Sequence, residues 1–185
     1  MFGAISKQIT SLVIAASSLF SSHVTPIFQD CSFQNINNVF VFSCRIFSCY
    51  NNEIDKILQS GQNVQLSLTY RIFEVGRQLP VHENSIKHSL KYDVVDKFYT
   101  IDREEGEDFF SLDFNEAKQN FAFFEDIQVL HIDFFEEGRE YILEITAELG
   151  SVFLVDMDKN IELMKYWKRP PVHRSTPFDV SDIQQ

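Results

Sequence analysis

From Asn63 to Glu74 apolar and polar residues alternate without a break. Val64, Leu66, Leu68, Tyr70 and Ile72 take one side, and Gln65, Ser67, Thr69 and Arg71 take the other. Successive strand side chains point to opposite faces, so this is a strand with one dry and one wet face. That pattern belongs to antiparallel rather than parallel sheets. The same period recurs from Ser85 to Asp93, where Ile86, His88, Leu90 and Tyr92 oppose Lys87, Ser89 and Lys91. Asn38 to Ser48, Lys97 to Asp102, Ile127 to Phe135 and Tyr141 to Leu149 read as further strands. Val152 to Val155 is expected to continue the sheet after Gly150, and Thr176 to Val180 to close it as an edge strand.

Three segments change period. Asn51 or Asn52 caps a helix carrying Ile54, Ile57 and Leu58 on one face, and Gly61 ends it in the left-handed conformation. Asp113 and Glu116, three apart, make a capping box ahead of Phe114, Ala117, Phe121 and Phe124 at helical spacing. A last helix is expected over Asn160 to Trp167, stopped by Pro170-Pro171. Many short strands with no strand–helix–strand alternation predict a mainly β fold: an antiparallel β-sandwich-like domain with three short helices.

Composition adds compartment and excludes some partners. The chain has 185 residues, which suits one domain with a sizeable core. Its net charge of -11, with few clustered cations, argues against a nucleic-acid partner. No apolar run reaches the ~20 residues a membrane-spanning helix needs. Residues 1 to 29 hold a single charged residue, Lys7, followed by Leu12, Val13, Ile14, Ala15, Ala16, Leu19 and Phe20. A cation, a short apolar stretch and then small residues form a secretory signal pattern. The expected organisation is a signal peptide over residues 1–25 and one β-rich domain over 26–185, placing the protein in the periplasm or cell envelope. Cleavage after Ser18 satisfies the small-residue rule, and a cut near Ser22 or Val24 suits the length better. The alternative is an amphipathic N-terminal helix docked on the domain.

Cysteine usage fits export without requiring it. There are three cysteines, so at most one intramolecular bridge forms. Cys44 and Cys49 lie on opposite faces of one strand, about 16 Å apart at ~3.3 Å per residue, too far to bridge. Cys31 can reach Cys44 if Gln34 to Asn38 forms a hairpin turn; the alternative is three plain buried thiols.

The order of features resembles the uncharacterised bacterial domain-of-unknown-function family 4390. The resemblance rests on Ser60-Gly61 leading into VQLSLTYRIFEVG (Val64 to Gly76), on HSLKYDVVDKFYTI (His88 to Ile101) and on FFSLDFNEAKQNF (Phe109 to Phe121). It extends to ELMKYW (Glu162 to Trp167) and STPFDV (Ser175 to Val180), covering roughly residues 38 to 180. What it implies is an exported envelope protein with a leader and a β-rich domain, with no catalytic residue to carry over.

Candidate chemistry is sparse. His23, His82, His88, His131 and His173 show no metal-ligand spacing, and no nucleophile elbow, phosphate loop or dinucleotide fingerprint occurs. No cofactor is expected. Asp93 and Asp96 beside Tyr92 and Tyr99 form the best carboxylate pair for acid–base work, although their spacing also suits turn capping. The acidic run Asp102 to Asp108 lacks the order of a calcium loop. Two features suggest binding. Nineteen Phe exceed ordinary core needs, and exposed aromatics would mark a partner surface. Tyr166 to Arg174 is the basic cluster of an acidic chain, with Trp167, Lys168, Arg169 and Arg174 as candidate partner-binding residues; alternatively Trp167 plugs the end of the sandwich. The leading expectation is a non-enzymatic exported domain that binds a protein or lipid of the envelope. The alternatives are a carrier of an apolar ligand in a Phe-lined interior, and a hydrolase using Tyr92, Asp93 and Asp96.

Overall fold

The computed structural model of the protein describes residues 23–154 and 158–183. In chain order its strands begin with β1 (Ile27–Ile36) and β2 (Val39–Phe47), followed by helix α1 (Asn52–Leu58). Then come β3 (Val64–Glu74), β4 (His82–Asp93), β5 (Phe98–Arg103), β6 (Phe109–Ser111) and helix α2 (Phe114–Phe121). The rest comprises β7 (Phe123–His131), β8 (Tyr141–Leu149), β9 (Ser151–Leu154), β10 (Lys159–Glu162), β11 (Val172–Arg174) and helix α3 (Val180–Ile183). A three-stranded sheet in the order β1-β2-β7 faces a six-stranded sheet in the order β11-β8-β3-β4-β5-β6, and β9 pairs with β10 apart from both. The named strand pairings are antiparallel, as the alternation predicts.

β3 is central because its apolar residues need cover along their whole length. Val64, Leu66, Leu68, Tyr70 and Ile72 are all fully buried. Their cover is the inner row of β2, Phe40, Phe42, Cys44 and Ile46, also buried. Each such side chain contributes about 1.5–3 kcal/mol by leaving water. The Phe42 ring meets Tyr70 edge-on at 5.3 Å. The outer face of β3 stays wet: Arg71 donates from Nε to Glu83 at 3.0 Å and lies 3.8 Å from Glu144.

β1 is the strand that the alternation hides. Its inner residues are Phe28, Cys31 and Phe33, packed against the core. The spacing of three and then two arises because the register jumps between Gln29↔Arg45 and Ser32↔Ser43. A bulge inserts one residue and breaks the period of two; Asp30 takes φ 53 there. The hairpin to β2 turns on Asn37 and Asn38, with φ 54 and 64. Two successive positive φ values define the type I′ turn that matches strand twist. The turn is therefore tighter than Gln34 to Asn38.

Of the two candidate caps the structure selects Asn51, whose side chain accepts from the Ile54 N–H at 2.9 Å. Gly61, at φ 81, lies beyond the helix C-cap Gln59. The Asp113 carboxylate accepts from the Glu116 N–H at 2.8 Å. The reciprocal arm of the box runs through Ser111, whose Oγ accepts from the Asp113 N–H at 2.9 Å and donates to Glu116. α2 ends at Phe121 rather than continuing through Phe124, because Phe123 and Phe124 pair with Arg45 and Cys44 of β2. Sheet pairing overrides helical spacing there, and β7 starts and ends earlier than Ile127 to Phe135.

The C-terminal third departs further from expectation. Ser151–Leu154 leaves the six-stranded sheet and forms a hairpin with Lys159–Glu162. Asn160 to Trp167 is not a helix but β10 followed by a 3-10 turn at Leu163–Tyr166. Thr176 to Val180 makes a single bridge, Phe178 to Tyr141, before α3 begins, and the sheet edge is taken by β11 instead. Phe178 is drawn inward by rings: it lies 5.3 Å from both Phe33 and Phe40 and 6.0 Å from Phe135.

His88 sits on the inner face of β4 at 2% exposure. Its Nδ1 lies 3.1 Å from the Phe121 carbonyl and its ring stacks on Phe124 at 4.0 Å. A carbonyl only accepts, so Nδ1 carries the proton of the neutral imidazole. Burial, with Arg103 nearby, pulls its pKa down to about 4. Above pH 6.5 the ring is neutral in both the folded and unfolded chain. Between pH 6.5 and 4 only the unfolded chain takes up the proton, so stability falls as pH falls through that window, by about 3 kcal/mol. Urea titrations from pH 7 to 4 should show this loss, and His88→Leu should flatten it; an unchanged slope in the variant would assign the acid sensitivity elsewhere.

Candidate functional site

The basic C-terminal cluster divides once folded. Trp167 is 4% exposed and its indole N–H donates to the Cys49 carbonyl at 2.8 Å. It closes the core rather than the surface. Its neighbours hold the start of the domain: the Val24 N–H donates to the Tyr166 carbonyl and the Lys168 N–H donates to the Val24 carbonyl, each at 2.9 Å. The side chains of Lys168, Arg169 and Arg174 are exposed. Arg169 borders an open groove of about 440 Å³ with Phe28, Pro171 and His173, and Arg174 lies 5.9 Å from the ring of Phe73.

Asp93 and Asp96 come together at the β4–β5 turn, whereas Tyr92 packs against the core. The Asp93 carboxylate accepts from the Val95 N–H at 2.8 Å and the Asp96 N–H at 3.0 Å. Those two bonds hold its carboxyl below the usual range, and Tyr92 stacks on Tyr99 at 4.6 Å. The arrangement caps a turn. In the acidic run, Asp108 accepts from the Arg103 N–H at 3.3 Å and so folds its own loop. Among the described residues no cluster of His, Cys, Asp and Glu could hold a metal ion.

Two surface features stand out. One is an open groove of about 550 Å³ where the end of β2 meets α2, bordered by Arg45, Phe47, Tyr50 and Lys118. Its cations are engaged: Lys118 pairs with Asp55 at 2.9 Å, and the Arg45 guanidinium stands 4.4 Å over Phe123. The other is an apolar corner at the free β6 edge of the six-stranded sheet. Tyr99, Ile101 and Ser111 of β5 and β6 face inward and are buried. Register pairs Thr100 with Phe110 and Tyr99 with Ser111, so Phe98 and Phe110 share the outer face, with ring centroids 6.4 Å apart. Leu112 follows directly, and Val94 and Val95 form the tip of the adjoining β4–β5 turn. Exposure there is high: Val94 55%, Val95 81%, Phe110 62% and Leu112 81%.

This corner was not legible in the alternation, because Val94, Val95 and Leu112 lie in turns where period carries no facing. The one available signal was the adjacency of Phe109 and Phe110, which in a strand must expose one ring. The Phe load is otherwise largely structural, with Phe40, Phe42, Phe121, Phe124, Phe135 and Phe178 buried. The signal-peptide expectation covers residues 1–25, of which 1–22 lie outside the described residues.

Fold and surface together define an antiparallel β-sandwich-like domain. The family model for the domain of unknown function DUF4390 matches residues 26–154, and the chain belongs to that family. The match starts earlier than the resemblance over 38 to 180 and stops before β10, so the ELMKYW and STPFDV stretches lie beyond it. No curated protein and no solved structure matches the chain.

Trp167→Ala should destabilise the domain by about 3–5 kcal/mol through lost packing. Trp167→Phe should cost less, leaving mainly the Cys49 carbonyl without its donor, about 1–3 kcal/mol. Denaturant midpoints check both; near-neutral effects would restore Trp167 as a surface residue.

Proposed function

We propose that this chain is an exported, non-enzymatic domain of the cell envelope that works by binding another envelope protein through its β6 corner. The observation that carries the reading is the exposure of Phe110 and Leu112 at the β6 edge and of Val94 and Val95 on the adjoining β4–β5 turn. Elsewhere on the outer sheet face Arg71 contacts both Glu83 and Glu144. Exposed apolar side chains at a sheet edge gain free energy when a partner covers them. Export is supported by the Lys7-led apolar leader. The Val24 clip to Tyr166 and Lys168 favours a cut between Ser18 and Ser22, since a cut past Val24 would remove a hydrogen-bonded residue of the domain.

Two measurements test the reading. Intact mass of the protein from its native envelope fraction should lack the leader up to a point between Ser18 and Ser22; a full-length mass would refute export. Cross-linking in that fraction should capture a protein with the native chain and not with Val95→Ser/Leu112→Ser. Both substitutions are at exposed positions and should change stability by no more than about 0.5 kcal/mol each. They should weaken capture by about tenfold or more if the corner is the contact centre. Equal capture would remove the corner from the interface.

A further inference from the structure

The bulge in β1 brings two thiols into register. Gln29 pairs with Arg45 and Ser32 with Ser43, so Asp30 and Cys31 together lie opposite Cys44. The left-handed turn at Asp30, φ 53, resets the strand so that Cys31 packs against the core between Phe28 and Phe33. Cys44 is fully buried beneath it on the inner face of β2. The Cys31 thiol donates to the Gln29 carbonyl at 3.8 Å, and both thiols are unbridged in this structure. Neighbouring strands lie about 4.7–4.9 Å apart, and a disulfide spans Cα atoms about 4.4–6.8 Å apart, so a bulged residue facing the same side as its neighbour across the hairpin is within bridging reach.

We infer that Cys31 and Cys44 form a disulfide site, a covalent cross-link that locks the β1–β2 hairpin at its bulge. The site needs a donor of the disulfide class, either a thiol–disulfide oxidoreductase or a small-molecule disulfide. Cys31, half-buried at the strand edge, is the entry point. Its thiolate attacks the donor, the donor's S–S bond breaks, and a mixed disulfide forms as the first donor thiolate leaves. Cys44 then gives up its proton and attacks the Cys31 sulfur, expelling the second donor thiolate. The chain loses two protons and two electrons, and the donor departs as two thiols. Cys49 takes no part: it is 1% exposed, its thiol donates to the Ile46 carbonyl at 3.5 Å, and burial pushes its pKa up to about 12.

The inference stands apart from the proposed partner and from export, because any oxidant of the stated class tests it. The reduced full chain is incubated with oxidised glutathione, unfolded in acid-quenched denaturant and alkylated with iodoacetamide. The expected product is lighter than the reduced chain by about 2 Da before alkylation, the mass of the two hydrogens lost in making one S–S bond. It then carries a single label, on Cys49, and yields a linked Cys31–Cys44 peptide. Cys31→Ser should be labelled at both remaining cysteines with or without oxidant. Three labels after oxidation, a glutathione adduct that persists on Cys31, or a link through Cys49 or to a second copy would each overturn the assignment.

Discussion

Tyr70 is the point on which the two sheets depend. Its ring, fully buried in β3, meets Phe42 of β2. Its hydroxyl donates to the Gln128 carbonyl of β7 at 3.3 Å and accepts from Asn84 of β4 at 3.2 Å. One side chain thus supplies apolar area between the sheets and satisfies its own polar atom across them. A buried phenol without partners would cost free energy rather than contribute it. Around it the layers are filled by rings: Phe40, Phe135, Tyr141 and Phe178 meet at centroid distances of 5.0 to 6.4 Å. Phe suits this interior because it delivers a large buried area with few torsions to order.

The helices serve the sandwich rather than form a layer of their own. α1 and α2 are joined by the Lys118–Asp55 ion pair, with Lys118 also 4.4 Å over the Phe114 ring. α2 closes the open end between β5, β6 and β7, and its last carbonyls receive His88. The neutral imidazole therefore acts as a structural hydrogen-bond donor. Trp167, bonded to the Cys49 carbonyl, closes the core beside the end of β2, and the backbone of its neighbours Tyr166 and Lys168 clips Val24 into place. The buried polar groups of Tyr70, His88 and Trp167 each join one element to another.

On that outside, the apolar corner and the basic residues occupy different elements. Lys168 and Arg169 follow the buried Trp167, Arg174 lies on β11, and the Val95–Leu112 corner lies on the opposite edge of the six-stranded sheet from β11. Strand order separates what composition alone would merge into one sticky and charged surface. The carboxylates of Asp93 and Asp96 share the corner's turn, where Asp93 fixes its geometry through the Val95 and Asp96 N–H groups. The turn presents Val94 and Val95 because its aspartate holds the backbone from within.

The sequence by itself determined the mainly β class, the antiparallel pairing and the inner faces of β3, β4 and β8, because a strict period of two leaves one facing per residue. It determined the Asp113 cap as well, and narrowed the first cap to Asn51 or Asn52, since caps are local hydrogen bonds between residues three apart. Only the tertiary structure decided β1, where a bulge breaks the period, and the end of α2, where β2 claims Phe123 and Phe124. It also decided the fate of Asn160 to Trp167, whose helical spacing yields to strand pairing with β9 and to burial of Trp167. The apolar corner belongs to this second group: its residues come from two turns and an edge strand, and their adjacency exists only once register places β6 beside β5. Local periodicity encodes which side of an element is dry, whereas the partner that covers it, or leaves it bare, is set by pairing between distant segments.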